Sequence, residues 1–154
     1  MNAMKNNKLE VSAIKDGTVI DHIPAGHLFK VINILKLDSI DNTITFGTNF
    51  LSKRLGKKAI IKLSNVFFKD NDINRIALVA PSAKLNIIKD YKVVEKKIVE
   101  VPDEIQGIVK CVNPKCITNN EKVTTKFTIE DKKKIKLRCV YCEKITDIEQ
   151  LDTI

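Results

Sequence analysis

The chain has 154 residues, enough for one ordinary domain or two small ones, and 44% of them are hydrophobic. Aromatic residues contribute only 5%, so the core must consist mainly of Ile, Val and Leu. The formal net charge of +8 suggests an anionic partner. No stretch reaches the roughly 18 consecutive apolar residues that cross a bilayer, and no apolar leader follows Met1. We therefore expect a cytoplasmic protein with no membrane partner.

Hydrophobic periodicity predicts strands and two helices in the first hundred residues. Alternating apolar residues, bounded by turn residues such as Gly17 and Asn42, indicate the strands. The predicted strands span residues 9–13, 18–23, 43–50, 59–63, 84–88 and 91–94. A first helix is predicted after Pro24, and its inward face consists of Leu28, Val31, Ile32 and Leu35. A second helix is predicted with Asp70 as its N-cap and Pro81 beyond its end.

The order of these elements is β-α-β-β-α-β with one extra strand at the end. It predicts an α+β protein with a ferredoxin-like N-terminal domain, in which two helices cover one face of an antiparallel sheet. The opposite face or an edge is then available to a ligand or a partner. Pro102 indicates a connector, so we expect an N-terminal domain over residues 1–98, a linker over 99–103 and a C-terminal domain over 104–154.

The C-terminal domain contains all the cysteines, which are Cys111, Cys116, Cys139 and Cys142. They follow the pattern C-x4-C, a 22-residue spacer and C-x2-C, with predicted strands at 123–129 and 135–138. Two close pairs on two tight turns can bring four sulfur donors to one tetrahedral metal, which predicts an all-β zinc ribbon with one structural zinc. Two disulfides, or iron in the same thiolate cage, are the alternatives.

The zinc is expected to stabilise the fold rather than to catalyse a reaction. Four thiolates close its coordination shell, and the H-x-E and H-E-x-x-H patterns of catalytic zinc sites are absent from the sequence. The charge surplus also lies elsewhere: residues 1–100 carry 17 basic and 10 acidic groups, and residues 101–154 carry 10 and 9. An anion is therefore expected to bind in the N-terminal domain.

That domain offers no recognisable catalytic constellation. Its glycines match neither a phosphate-binding P-loop nor a dinucleotide fingerprint. Asp21 and His22 form the one polar pair on an apolar strand, and strand geometry predicts that they point to opposite faces. Such a pair is more often a satisfied structural group than a ligand site. Lys62, within an apolar run, must be paired or exposed.

Several motifs in this order resemble the regulatory chain of aspartate carbamoyltransferase. They are Gly17-Thr-Val-Ile-Asp-His-Ile-Pro24, Asp90-Tyr-Lys-Val-Val94, and the cysteine set ending in Cys139-Val-Tyr-Cys-Glu-Lys144. The resemblance extends from about Leu9 to Ile145. It implies a non-catalytic chain of pyrimidine biosynthesis with two parts: an N-terminal allosteric domain that binds CTP and ATP, with UTP in some members, and a zinc domain that docks onto a separate catalytic chain. In the family, three regulatory dimers bridge two catalytic trimers.

The resemblance also implies roles for individual residues. Asp21 and Lys62 match positions at the ribose and base, His22 and Lys96 match phosphate contacts, and Lys58 is a further phosphate candidate. Six positions match the lining of the base pocket: Ile14, Val19, Asn86, Ile88, Tyr91 and Val93. Four positions beside the cysteines are expected to contact the catalytic chain: Asn113, Lys115, Glu143 and Lys144.

Two functions from other classes remain open on the sequence alone. Basic charge with a zinc ribbon also occurs in nucleic-acid-binding modules, and Lys132-Lys133-Lys134 would be the contact patch. Few aromatic residues are available for base stacking, and the zinc half is nearly neutral, so we expect no nucleic-acid partner. A small-molecule sensor of a different pathway is the second alternative, because ferredoxin-like sheets accept many ligands.

Overall fold

The computed structural model describes residues 13–150 and residue 152. These residues form two antiparallel sheets with three α-helices and short 3-10 turns. In chain order the elements are β1 (Gly17–Pro24), α1 (Leu28–Ile34), β2 (Ile44–Ser52), β3 (Gly56–Ser64), α2 (Asp70–Ile76), β4 (Lys84–Lys89), β5 (Lys92–Ile98), β6 (Glu104–Gln106), α3 (Ile117–Asn120), β7 (Lys126–Asp131), β8 (Lys136–Cys139) and β9 (Ile145–Asp147).

The first sheet has five strands in the order β2-β3-β1-β4-β5. All its neighbouring pairs are antiparallel, and α1 and α2 are the two connections of the β-α-β-β-α-β order. Strand alternation explains which face the helices cover: Ile20 of β1, Ile61 of β3 and Leu85 of β4 are fully buried in one core with residues of both helices. The ferredoxin-like prediction with an extra edge strand is confirmed.

The predicted helices exist, but their ends differ from the prediction. A 3-10 turn at Ala25–His27 precedes α1, and Pro24 before it has an extended backbone, with φ −55° and ψ 133°. The prediction that Asp70 is the N-cap of the second helix was wrong. The N-cap is Lys69, whose backbone is extended, and Asp70 is the first helical residue. The Asp70 carboxylate lies 3.2 Å from the ammonium group of Lys97 on β5.

Strand boundaries also shift by several residues. β5 begins at Lys92 and continues to Ile98, because Asp90 and Tyr91 form a turn with positive φ values of 51° and 64°. In the second sheet the strand predicted from residue 123 begins at Lys126. Most of the strand predicted at residues 9–13 lies outside the described residues. No helix in the described part of the chain is long and apolar enough to span a membrane.

The second sheet has four strands in the order β6-β7-β8-β9, and α3 is a single helical turn beside it. Its core contains fully buried Phe127 and Leu137 together with three of the cysteines. Ile34 at the end of α1 and Leu78 just after α2 are buried in this same cluster. The helices of the first domain therefore pack with one face against their own sheet and with one end against the second domain.

Candidate metal centre and open sheet face

The four cysteine sulfurs converge on one point. All four lie within 4.8 Å of one another, and the pairs Cys111–Cys142 and Cys116–Cys139 have sulfur separations of 3.6 and 3.7 Å. A tetrahedral zinc with Zn–S bonds of about 2.3 Å places its ligands about 3.8 Å apart. The cluster is therefore able to hold one metal ion, and its donor set and dimensions fit one structural zinc.

Backbone and amide hydrogen bonds hold the two cysteine turns. The Cys116 N–H donates to the Asn113 carbonyl (3.0 Å), and the Glu143 N–H donates to the Cys139 carbonyl (2.8 Å). Asn119 Nδ2 donates to the carbonyls of Cys111 and Asn113, each at 2.8 Å. Both turns are thus fixed by bonds independent of the sulfurs, which preorganises the donors.

Burial opposes ionisation of two of the four thiols. Burial raises the pKa of Cys111 to about 12 and also raises the pKa of Cys139. At Cys142, burial is outweighed by hydrogen bonds from the Lys144 backbone N–H and the Asn113 side chain, which lower the pKa to about 7. A bound divalent cation would compensate the buried negative charge and displace the thiol protons.

The face of the first sheet opposite the helices carries a row of predicted effector residues. Val19 on β1 is paired with Lys62 on β3 and with Asn86 on β4, and Asn86 is paired with Lys96 on β5. Directly opposite residues on neighbouring strands share a face. The next residue along β1, Ile20, points into the helix-covered core. The register therefore brings four predicted positions from four strands into one line.

A β-bulge at Asp21 and His22 lies beside this row, two to three residues further along β1 from Val19. The pairing between β1 and β3 shifts between Ile20 and Ile23, and His22 has a φ of 60°. The expectation that Asp21 and His22 point to opposite faces was wrong, because the bulge breaks the alternation. The Asp21 carboxylate accepts the His22 backbone N–H at 2.6 Å and lies 3.6 Å from its ring Nδ1. Ser82 Oγ donates to the His22 carbonyl at 2.8 Å and so supports this conformation.

Cations surround the bulge. Lys58 Nζ lies 3.1 and 3.3 Å from the two carboxylate oxygens of Asp21. Burial lowers the pKa of His22; Asp21 partly opposes this, whereas Lys58, Lys84 and Arg54 lower the pKa further. Its Nδ1 is buried and has no hydrogen-bond partner among the described residues. The site thus combines positive charge, which can attract an anionic group, with a buried ring nitrogen that lacks a hydrogen bond.

The other four predicted base-pocket residues, Ile14, Ile88, Tyr91 and Val93, lie on the opposite side of this row from the bulge. Ile88 is buried and pairs with Val93, and Tyr91 occupies the exposed turn between their strands. The Tyr91 N–H donates to the Lys15 carbonyl at 2.9 Å, which brings this turn next to the segment containing half-buried Ile14. Burial lowers the pKa of Lys62, and Asp21 partly offsets the effect.

The four predicted contact residues for the catalytic chain lie on the two cysteine turns. Lys115, Glu143 and Lys144 are exposed, and Asn113 is half-buried. Asn113 also has a local role, because its side chain accepts the Lys115 N–H at 3.0 Å. Five large apolar side chains near the cysteines are 37% to 48% exposed: Val112, Ile117, Val140, Tyr141 and Ile145. Sequence reasoning missed these apolar residues.

Sequence reasoning also missed two cations and a sulfur contact. Lys84 is paired with Asp21 across β1 and β4, and the alternation Lys84, Asn86, Ile88 could have placed it on the open face. Arg54 acts on His22 from the β2–β3 turn, and no sequence pattern signals that contact. Thr118 Oγ1 donates to Cys116 Sγ at 3.2 Å.

Comparison with known proteins gives matches over nearly the whole chain. Residues 9–100 match the family model described as aspartate carbamoyltransferase regulatory chain, allosteric domain. Residues 103–152 match the model described as the metal binding domain of the same chain.

Individual relatives carry the same name. The aspartate carbamoyltransferase regulatory chain of Phocaeicola vulgatus is 58% identical over 143 residues, covering 92% of each chain. The chain of Bacteroides fragilis so named is 54% identical over 153 residues, covering 98% of this chain and 100% of that one. That of Pyrococcus abyssi is 54% identical over 146 residues, covering 94% and 96%. The name denotes the non-catalytic subunit. With an allosteric domain followed by a metal-binding domain, this chain belongs to the family of aspartate carbamoyltransferase regulatory chains.

Proposed function

We propose that this chain binds nucleoside triphosphates on the open face of its first sheet and thereby controls a separate catalytic chain in pyrimidine biosynthesis. CTP and ATP are the proposed effectors, with UTP as a third. The observation that carries the proposal is the row of Lys62, Val19, Asn86 and Lys96, with the cation-rich bulge of Asp21 and His22 beside it on β1. It provides amide and apolar groups for a base, a carboxylate for sugar hydroxyls and cations for phosphates.

We propose that the effector acts by favouring one quaternary state. CTP would stabilise a compact state with low activity and ATP an expanded one, because a ligand shifts an equilibrium only through different affinities for its two states. The route would run from the sheet through α1 and α2 to the metal-binding domain. Ile34 and Leu78 support this route, because they join the helix layer to the core that contains the cysteines.

Assembly would use two further surfaces. The exposed apolar side chains around the cysteines, together with Asn113, Lys115, Glu143 and Lys144, would dock onto the catalytic chain. A regulatory dimer would form along β2, the edge strand of the first sheet. Beside this edge, Phe29 of α1 and Phe46 of β2 are 66% and 48% exposed, and their rings form an edge-to-face pair. Free thiols suit the reducing cytoplasm, where we place the protein.

Substituting Lys96 by alanine tests the effector site. Loss of one charge-assisted contact to a phosphate should weaken CTP and ATP binding about tenfold or more. Lys97→Ala is the matched control, because Lys97 points to the helix side and bonds to Asp70 at 3.2 Å. Isothermal titration calorimetry of the zinc-loaded chain should show a change below about twofold for this control. Equal effects of the two substitutions would refute the assignment.

Effector binding should also strengthen as the pH falls from 8 to 6. The lowered pKa keeps His22 neutral in the free chain at neutral pH, and a bound polyphosphate would raise that pKa, so that binding takes up a proton. Each unit of pKa increase is worth up to about tenfold in affinity at low pH. His22→Gln removes this contribution while the ligand's own titration remains. An unchanged pH dependence in His22→Gln would argue against a phosphate at His22.

A further inference from the structure

A groove of about 530 Å³ lies between the two domains, away from both the open sheet face and the cysteines. Its apolar lining comes from both sides. Leu78 and Val79 belong to the first domain, and Ile135 and Ile148 belong to the second. His27 Nδ1 donates to the Val79 carbonyl at 2.7 Å, and the Ile148 N–H donates to the Ile135 carbonyl at 3.1 Å. Hydrogen bonds therefore hold both walls.

Four lysines surround this apolar lining: Lys30 from α1, and Lys133, Lys134 and Lys136 from the β7–β8 hairpin. Within the described residues, none of these four ammonium groups forms an ion pair. Asp131, outside the groove, accepts the backbone N–H groups of Lys133 and Lys134 at 2.9 and 3.0 Å and so fixes the turn. Among the described residues, the acidic side chains of the groove are Asp147 and Glu149, so this part of its lining keeps a surplus of two positive charges.

We propose that this interdomain groove is a second ligand site, which takes a small organic anion with an apolar portion. The apolar portion would lie on Val79 and Ile135, and the negative charge would face the lysines. The volume lies within the range of about 300–1,000 Å³ that is usual for small-molecule sites. A ligand there contacts both domains at once, so its binding stabilises their docked arrangement. The site is independent of the nucleotide site proposed above.

The test uses the full zinc-loaded chain and anilinonaphthalene sulfonate, an apolar monoanion whose fluorescence rises in apolar surroundings. We expect one saturable site per chain and a higher melting temperature at saturation. The double substitution Lys30→Glu/Lys134→Glu should weaken binding about tenfold or more, because it places negative charges on both sides of the groove. The control is Lys110→Glu/Lys122→Glu, which makes the same charge change at exposed residues outside the groove and should change affinity less than about twofold.

Three results would overturn the proposal. Equal weakening by the control pair would show that the probe senses only net charge. Displacement of the probe by CTP from the parent chain, but not from Lys96→Ala, would place the probe on the open sheet face. Loss of assembly with the catalytic trimer in Lys30→Glu/Lys134→Glu, with unchanged probe binding, would show that the groove is a protein contact. Circular dichroism and zinc content check that each variant is folded.

Discussion

Replacing Cys116 by serine is expected to unfold the metal-binding domain and abolish assembly with the catalytic chain. Cys116 is 2% exposed, and its sulfur lies 3.7 Å from that of Cys139 in the cluster. Structural zinc contributes about 10–16 kcal/mol to the folding of small zinc domains. This is more than the whole free energy of unfolding expected for a domain of roughly 50 residues. Gel filtration with light scattering of the chain mixed with catalytic trimer should show a large complex only for the parent. Removing zinc with a chelator should give the same result.

A graded control separates metal loss from a general effect of mutation. Thr118→Val removes the hydroxyl that donates to Cys116 Sγ at 3.2 Å but keeps all four ligands. Loss of such a supporting bond typically weakens metal binding by about 10–100-fold, so this variant should still assemble at saturating zinc. Cobalt substitution would report tetrahedral thiolate coordination through its sulfur-to-metal absorption. Full assembly by zinc-free Cys116→Ser would contradict the docking role.

Gly17→Ala is expected to destabilise the first domain by about 3 kcal/mol or more. Gly17 starts β1 with a φ of +143°, which L side chains rarely adopt. A Cβ there would lie 2.0 Å from the Leu63 carbonyl oxygen on β3 and 3.0 Å from the Asn65 nitrogen. Both are backbone atoms, so the strand pairing itself must shift. Urea unfolding of the zinc-loaded chain measures the loss.

Gly26→Ala serves as the matched control for this substitution. Gly26 lies in the turn before α1, and a Cβ there would meet nothing within 4 Å. Alanine lowers the conformational entropy of the unfolded chain relative to glycine, so this change should leave the free energy of unfolding the same or raise it slightly. Equal losses from the two substitutions would show that the close approach to Leu63 is not the cause.

The sequence predicted the architecture because each element carries its own periodic signal. The alternation of apolar residues along β1 and β3 places Ile20 and Ile61 on the buried face of the sheet. The sequence therefore indicates which residues face the helices, even where the strand order is not known. The register across four strands could not be predicted, since no local pattern states that Lys62 lies opposite Val19. The bulge at His22 was also unpredictable, because a positive φ at a non-glycine residue depends on long-range contacts such as that of Ser82.

The metal centre was easier to predict than the open face for a physical reason. The two pairs, Cys111–Cys116 and Cys139–Cys142, are each close in sequence, and only one long-range approach must be inferred. The cations around His22 come instead from the β2–β3 turn, β3 and β4, and each belongs to a segment rich in lysine or arginine. Composition alone therefore could not select Arg54 and Lys84 from their neighbours.

The burial of Ile34 and Leu78 in the cysteine-containing core has a consequence for the newly synthesised chain. Among the described residues, the first domain has its own core of fifteen buried residues, so we expect it to fold while the second domain is still without metal. In that interval the side chains of Ile34 and Leu78 are not packed against the second domain and are exposed to solvent. A chain short of zinc would then aggregate through its folded half. We therefore expect a shortage of metal during synthesis to lower the fraction of the protein that stays in solution.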